Sequence, residues 1–284
     1  RTASPESPSG ARGERGTCVA FVSNKGGVGK STLSVNTAVR LAQRHPEQVL
    51  LVDCSLQMGL CTPMLDLKPA TSLLDAVREH DRLDPTLFRR LTTPHVSGLD
   101  VLAAPPDALS ATEIDDEMLA RVLTLARRTY RYVVIDTFPL FDRIVMAVLD
   151  VADVAGIVLD NVVPTVLSAV RLMQLMDGLE FPAEQRRIIV NRFARLPGNP
   201  SLDDIERSLG RPVDHVLPME TRAITAANVG RPFALSPKRF SGLERGLRGL
   251  IADIESAGQA DAQPVHAMNG RRPQATAAQP EGEE

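Results

Sequence analysis

Residues 21–32, FVSNKGGVGKST, combine three glycines with two lysines and three hydroxyl side chains. We predict an apolar strand before the glycines and a helix after them. Glycine backbones can turn so that successive N–H groups point into one concavity, and a helix N-terminus adds partial positive charge there. Lys30 would then reach phosphate oxygens, and the Ser31 hydroxyl would ligate magnesium. The residues predicted to contact phosphate are Gly26, Gly27, Val28, Gly29, Lys30, Ser31 and Thr32.

The composition limits the class of protein. With 284 residues, 43% of them hydrophobic, the chain is long enough for one α/β domain with a large core. A net charge of −3 and a pI near 6.0 argue against a strongly basic surface, so we expect no strong nucleic-acid binding. No segment reaches about 18 consecutive apolar residues, so we expect a cytoplasmic protein whose association with a membrane would be indirect.

The three cysteines do not predict a disulfide framework. Cys18, Cys54 and Cys61 form no C-x-x-C pair, and their number is odd. Cys18 falls in a predicted buried strand and is expected in the core. The sequence opens with Arg1 rather than methionine, which favours a fragment of a longer protein that has an upstream domain.

Apolar strands alternate with amphipathic helices, which indicates a three-layer α/β/α fold with a mainly parallel, twisted sheet. The composition of residues 1–16 and 257–284 predicts a linker and a disordered tail around one domain at 17–256. Strands are expected at 17–23, 49–52, 98–105, 132–136, 154–159, 187–191 and 212–217. Helices are expected at 30–44, 72–79, 82–91, 114–128, 164–179 and 242–256.

The last expected helix, 242–256, is amphipathic. Such a helix could serve as a membrane anchor, but its polar face mixes acidic with basic residues and it lacks a bulky aromatic side chain. These features favour packing against the core.

The glycine-rich segment departs from the common pattern G-x-x-x-x-G-K-[ST], because Asn24 occupies the first glycine position. It fits K-G-G-x-G-K-[ST] in full and so resembles the deviant Walker A motif of the ParA/MinD superfamily. In that superfamily the extra lysine, here Lys25, reaches across a dimer to the phosphates bound by the partner subunit. The strand ending at Asp136 resembles Walker B, followed by switch II at 137–139. The segment that begins at Asp53 resembles switch I, D-x-D-x-Q-x-G.

The resemblance implies a P-loop protein that binds ATP and Mg²⁺ and forms a homodimer with ATP at the interface. It implies that Ser31, Asp53 and Asp136 hold the magnesium ion or its water ligands. The residues implied for catalysis are Lys25, Lys30, Asp53 and Asp136. The residues implied to contact adenine are Asn191, Pro218 and Met219. A strand-end asparagine such as Asn191 can also serve as a turn or cap residue.

Ser55 stands where switch I of the superfamily has its second aspartate. In the family that carboxylate orients or activates the water that attacks the γ-phosphate. A hydroxyl is a weak acceptor with no useful basicity at neutral pH. We therefore expect nucleotide binding with weak ATP hydrolysis, unless Gln57 or another group positions the water.

The segments LLDAV, RLDPTL and GLDVLAAP follow in order between switch I and Walker B, at 73–77, 82–87 and 98–105. Their arrangement resembles CpaE/TadZ, the ATPase-like component of tight-adherence (Flp) pilus assembly. It implies a localisation or assembly factor with pilus or secretion-machinery partners, at the cell pole or at the inner membrane through those partners.

Three other classes share the glycine-rich motif. ParA-like DNA-partition ATPases need a basic patch, and MinD-like or flagellar-number positioning ATPases remain alternatives. A reductase of the nitrogenase iron-protein type is disfavoured, because it needs thiolate ligands for an interface cluster and no cysteine follows Cys61.

Overall fold

The structure is a computed structural model that describes residues 15–236 and 241–260. Most of the predicted linker and tail, residues 1–14 and 261–284, lies outside those residues. The last helix continues to Ala260, past the predicted domain end at residue 256.

The strands are β1 Thr17–Val22, β2 Val49–Cys54, β3 Thr93–Pro94, β4 Leu99–Leu102, β5 Tyr132–Thr137, β6 Val154–Leu159, β7 Arg186–Phe193 and β8 His215–Pro218. The α-helices are α1 Lys30–Arg44, α2 Leu73–Arg78, α3 Pro85–Arg90, α4 Asp116–Thr129, α5 Arg143–Val151, α6 Val163–Gly178, α7 Leu202–Leu209, α8 Thr221–Asn228 and α9 Gly242–Ala260. Short 3₁₀ helices lie at Pro63–Leu65, Ser110–Glu113, Ala183–Gln185 and Phe233–Leu235. The sequence patterns had not predicted β3, α5, α7 or α8.

The strands form one sheet in the order β3-β4-β2-β5-β1-β6-β7-β8. Every pairing is parallel except that of the edge strand β3 with β4. The strand order reverses at β1. Strands β2 to β5 all lie on one side of β1, whereas β6, β7 and β8 follow on the other side. The crevice at the carboxyl ends of strands beside such a switch point is where open α/β sheets bind ligands. The loop after β1 therefore lies at the position favoured for a site.

Helices cover both faces of the sheet. On one face α1 and α9 pack against inward side chains such as Val19 and Phe21. On the other face α2 to α7 pack against the alternate residues, such as Cys18 and Ala20. Burial on both faces explains why the central strands are apolar runs rather than alternating patterns. The three-layer α/β/α prediction is confirmed.

Helix α9 packs against the core. Its apolar stripe, Leu247, Leu250, Ile251 and Ile254, is buried beside α1 and β8. The packing interpretation of this helix therefore agrees with the structure. Among residues 15–236 and 241–260, no helix has both the length and the hydropathy that crossing a bilayer requires. The three cysteines are buried and unpaired with one another.

Candidate functional site

The glycine loop, defined here as residues 24–29, joins β1 to α1. Gly29 has φ 88° and ψ 25°, a left-handed backbone that side chains rarely adopt. A Cβ atom at Gly29 would also lie 2.5 Å from the Asn191 side-chain nitrogen. Glycine is therefore required at this position by conformation and by space, and α1 can begin immediately after it at Lys30.

Two side chains from β7 hold the glycine loop by its carbonyl groups. Asn191 Nδ2 donates to the Val28 carbonyl at 2.8 Å, and Arg192 Nη1 donates to the Gly27 carbonyl at 2.7 Å. In a trans peptide the N–H points away from the carbonyl of the same unit. The N–H groups of Val28 and Gly29 therefore point away from β7, as donors for an anion.

Arg192 was not expected at the site from the sequence. Its backbone has φ 52°, and it lies where the pairing of β7 with β8 shifts register between Val190 and Phe193. The shift turns the Arg192 side chain towards the loop. Only the adjacent Asn191 gave a sequence signal for this strand end.

The two lysines of the motif lie in different environments. Lys30 is buried, and burial lowers its pKa while the charge of Asp136 opposes that shift. Lys25 is exposed, and no carboxylate of the described chain lies within ion-pair distance of it. Lys30 thus points to a ligand inside this chain, whereas Lys25 is available to a group outside it.

Asp53 and Asp136 are paired in register at the carboxyl ends of β2 and β5. Neither carboxylate is exposed to solvent. Asp53 accepts from the backbone N–H groups of Ser55 at 3.1 Å and Cys61 at 3.0 Å. Burial raises the pKa of Asp53, and the neighbouring charge of Asp136 adds to the rise. We call these two residues the carboxylate pair.

Asp136 is held from α1. The Ser34 hydroxyl donates to Asp136 Oδ1 at 2.9 Å. Burial raises the pKa of Asp136, whereas the hydroxyls of Ser31 and Ser34 and the charge of Lys30 favour the ionised form. The sequence had predicted Ser31, Asp53 and Asp136 as one group, and the structure places them at one edge of the sheet.

The donor set fits a magnesium ion. Among the described residues, the carboxylate pair faces one buried ammonium group, that of Lys30, so the ionised pair leaves a net negative charge that a cation would balance. Buried charges are tolerated when they are paired or coordinate metals. Carboxylate and hydroxyl oxygens are hard donors that Mg²⁺ prefers.

Cys61 also lies at the carboxylate pair. Its Sγ is 3.8 Å from Asp136 Oδ2, and one ligand atom each from Asp53, Cys61 and Asp136 fall within 4.8 Å of one another. Burial raises the pKa of the Cys61 thiol, and both carboxylates add to the rise. The sequence patterns do not indicate Cys61 as a residue of this site.

A cavity of about 220 Å³ opens beside the glycine loop, between α1, β8 and α8. Its lining includes Thr32, Asn191, Pro218 and Met219, so the predicted adenine contacts lie together. Lining residues that the sequence did not identify include Asn36, Met64, Ala223, Ile224 and Ala227. A largely apolar wall with a few polar groups suits a flat heteroaromatic ring.

Ser55 follows β2 and is buried. The Ser55 backbone N–H donates to Asp53 Oδ1. This hydrogen bond fixes the position of the residue 55 backbone relative to the carboxylate pair. Gln57, the alternative for positioning water, is exposed and lines a second cavity with Phe138 and Ile144.

The chain shows similarity to known proteins over most of its length. The AAA domain family model (AAA_31) matches residues 16–181, more than half of the chain. The septum site-determining protein MinD of Thermotoga maritima is 25% identical over 254 residues, covering 85% of this chain and 91% of that protein.

Solved structures extend the comparison. A ParA family ATPase from Chlorobium tepidum superposes with a TM-score of 0.77 at 26% identity, covering 84% of this chain and 99% of the other. MinD from Pyrococcus horikoshii, solved with Mg-ADP, shares the fold at a TM-score of 0.73 and 18% identity, with 87% and 99% covered. The chain therefore belongs to the AAA domain family and, with its MinD and ParA relatives, to the ParA/MinD superfamily of P-loop ATPases.

Proposed function

We propose that this chain binds Mg-ATP, dimerises around it and acts as a localisation and assembly factor for Flp (Tad) pili, with weak ATP hydrolysis. One observation carries the nucleotide part of the proposal. Buried Lys30 lies between the glycine loop and Asp136, and the cavity with the predicted adenine contacts is adjacent. Phosphate, cation and base would therefore be bound by neighbouring elements of one sheet edge.

Each part of the nucleotide has a partner in this arrangement. The N–H groups of Val28 and Gly29, with the N-terminus of α1 behind them, bind phosphate oxygens. Lys30 neutralises phosphate charge at close range. Ser31 and the carboxylate pair would hold Mg²⁺, and the bound ion would supply positive charge to the phosphates.

Exposed Lys25 supports the dimer part of the proposal. Its backbone is fixed by reciprocal 3.2 Å hydrogen bonds with the Ser23 hydroxyl, while its side chain extends into solvent. A partner subunit facing this edge would bring its nucleotide to Lys25. Binding within one chain and assembly of two chains would then depend on different lysines.

Two lysine variants test this division. Lys30→Ala should weaken ATP binding about 10–100-fold, because a hydrogen bond to a charged group contributes about 1.5–3 kcal/mol. Lys25→Ala should bind ATP with nearly parental affinity yet remain a monomer in Mg-ATP. Calorimetry measures the affinity and sedimentation measures the mass. Lys68→Ala, at an exposed lysine outside the site, is the control. Parental ATP affinity in Lys30→Ala would refute the nucleotide site, and ATP-dependent dimers of Lys25→Ala would refute the role of Lys25.

Ser55 supports weak hydrolysis. Losing one general base commonly lowers a rate about 10²–10⁴-fold. Ser55→Asp should therefore raise phosphate release and shorten the life of the ATP dimer, while ATP affinity changes little. Ser55→Asn, which is similar in shape but uncharged, should not raise the rate. Brisk hydrolysis by the parent protein that Ser55→Asp leaves unchanged would show that another group positions the water.

The pilus assignment is supported by the segments at 73–77, 82–87 and 98–105, which contribute α2, α3 and β4. Deleting the gene in its source organism should abolish surface Flp pili, and the parent gene but not the Lys30→Ala variant should restore them. Normal piliation in the deletion strain would contradict the assignment. Tight, salt-sensitive binding of the purified protein to nonspecific duplex DNA would instead favour the partition-ATPase alternative.

A further inference from the structure

The carboxylate pair has a soft donor beside it that a magnesium site does not need. Magnesium prefers oxygen ligands in octahedral geometry, whereas thiolates select ions such as Zn²⁺. Cys61 Sγ lies 3.8 Å from Asp136 Oδ2, and the Cys61 N–H is bonded to Asp53 at 3.0 Å. The Cys61 backbone is therefore held by Asp53, and its thiol lies beside Asp136 and within 4.8 Å of an Asp53 oxygen.

We propose that Asp53, Cys61 and Asp136 form a binding site for a thiophilic divalent cation of the Zn²⁺ class. Its donor set is distinct from that of the magnesium site, which uses Ser31, and it includes no atom of a nucleotide.

The distances suit a four-coordinate ion. Zinc binds sulfur at about 2.3 Å and carboxylate oxygen at about 2.0–2.2 Å, which places the ligand atoms of one tetrahedral ion about 3.4–3.7 Å apart. Here the three candidate ligand atoms already lie within 4.8 Å of one another, and the Sγ to Oδ2 distance is 3.8 Å. Side-chain movements of about 1 Å close the remaining gap, and a water completes the fourth position.

Charge complementarity favours the same ion. Two carboxylates and a thiolate carry three negative charges, and buried Lys30 supplies one positive charge. A divalent cation makes the buried group neutral. On binding, the metal–sulfur bond replaces the S–H bond and the thiol proton passes to water.

The proposed ion would occupy the space between the carboxylates that the magnesium of Mg-ATP also needs. A thiophilic cation would therefore compete with nucleotide-linked magnesium. The binding itself requires no nucleotide, so it can be tested even if the proposed function is wrong.

Cadmium is a suitable probe, because its bond to thiolate gives an ultraviolet charge-transfer band. Untagged protein, free of nucleotide and magnesium, is titrated with Cd²⁺ while this band and the binding heat are recorded. We expect one saturable Cd²⁺ per chain. Cys61→Ser should lose the band and bind at least about 10–100-fold more weakly, since even outer-shell changes at metal sites cost that much affinity.

The chain provides matched controls. Cys54→Ser removes a buried thiol next to Asp53, and Cys18→Ser removes one on β1; both variants should keep the band and the affinity. Asp53→Asn should weaken Cd²⁺ binding while Cys61 is intact. X-ray absorption at the cadmium edge of the parent protein should show one sulfur and several oxygens, and this measurement does not depend on how any variant folds. A persistent band in Cys61→Ser, its loss in Cys54→Ser, a sulfur-free cadmium shell or no saturable binding would each overturn the proposal.

Discussion

The two ends of the central strands bury charge in opposite ways. At the amino end, Arg127 of α4 is only 3% exposed, and each of its three guanidinium nitrogens donates a hydrogen bond. It donates to the carbonyls of Gly16 at 3.0 Å and Val151 at 2.6 Å, and it forms an ion pair with Asp153. Asp153 in turn accepts from the Cys18 N–H at 2.7 Å. This cluster joins α4, α5, β1 and β6, and it leaves no charge unbalanced.

At the carboxyl end, the carboxylate pair faces one ammonium group, and burial raises the pKa of both acids. A protein that only had to stabilise its fold would not place two carboxylates in register with one cation. The contrast indicates that the amino end is a structural cluster and that the carboxyl end is arranged for ligands that bring positive charge. Substitutions at the two ends should therefore behave differently.

The largest effect is expected at the amino end. Arg127→Met should lower the free energy of unfolding by about 3–5 kcal/mol, because it leaves the half-buried carboxylate of Asp153 and two carbonyls without their donor. Urea unfolding measures the change. Arg121→Met, at an exposed arginine of the same helix, should change stability by less than about 0.5 kcal/mol. If Arg127→Met lowers the unfolding free energy no more than Arg121→Met does, the amino end is not the structural cluster that the comparison of the two ends indicates.

A smaller effect is expected at the carboxyl end. Asp136→Asn should change the unfolding free energy of the ligand-free protein by less than about 1 kcal/mol, since relief of repulsion offsets the weaker contacts with Lys30 and Ser34. The parent protein should gain about 2.7 kcal/mol from Mg-ATP at 100 times its dissociation constant. Asp136→Asn should gain much less, and unfolding with and without Mg-ATP measures both quantities. Destabilisation as large as that of Arg127→Met would show that this end is structural as well.

The smallest effect is expected at a half-exposed cluster formed by Asp253, Arg187 and His215. Asp253 of α9 accepts from Arg187 Nε at 2.7 Å and contacts His215 Nε2 at 3.1 Å. The hydrogen bond with His215 and then that with Arg187 lower the pKa of Asp253 to about 2. A depressed carboxyl pKa contributes stability above its ordinary value, and this contribution is lost as the pH falls towards the folded value.

Asp253→Asn should therefore be less stable than the parent by about 0.5–1 kcal/mol at pH 6, because solvent screens the exposed pair. The difference should shrink as the pH falls from about 4 to 2, the range between the unfolded and folded pKa. Unfolding curves of both proteins across this range provide the measurement. A constant difference at all pH values would attribute the effect to packing rather than to charge.

Some helices could not be predicted because their local signals are weak or short. Helix α7 has eight residues and carries a Ser201–Asp204 capping box, a signal that is present in the sequence but brief. Helix α8 buries none of its residues, so no apolar stripe marks it. Helix α5, RIVMAVLDV, is a short and mostly apolar segment, which periodicity alone cannot distinguish from a buried strand.

The glycine loop, the start of α1 and the strand-end aspartates Asp53 and Asp136 could be predicted from local sequence patterns. These depend on local rules: glycine allows the left-handed turn before Lys30, and an apolar run followed by a carboxylate indicates a buried strand that ends at a site.

The distant residues that complete the site could be identified only from the folded chain. It brought Cys61 to Asp136 and placed Asn191 and Arg192 on the carbonyls of the glycine loop. It also joined Arg127 to Asp153. Such contacts depend on strand order, register and one shift in the pairing of β7 with β8. No local pattern encodes them, because the partners meet only after the sheet has assembled.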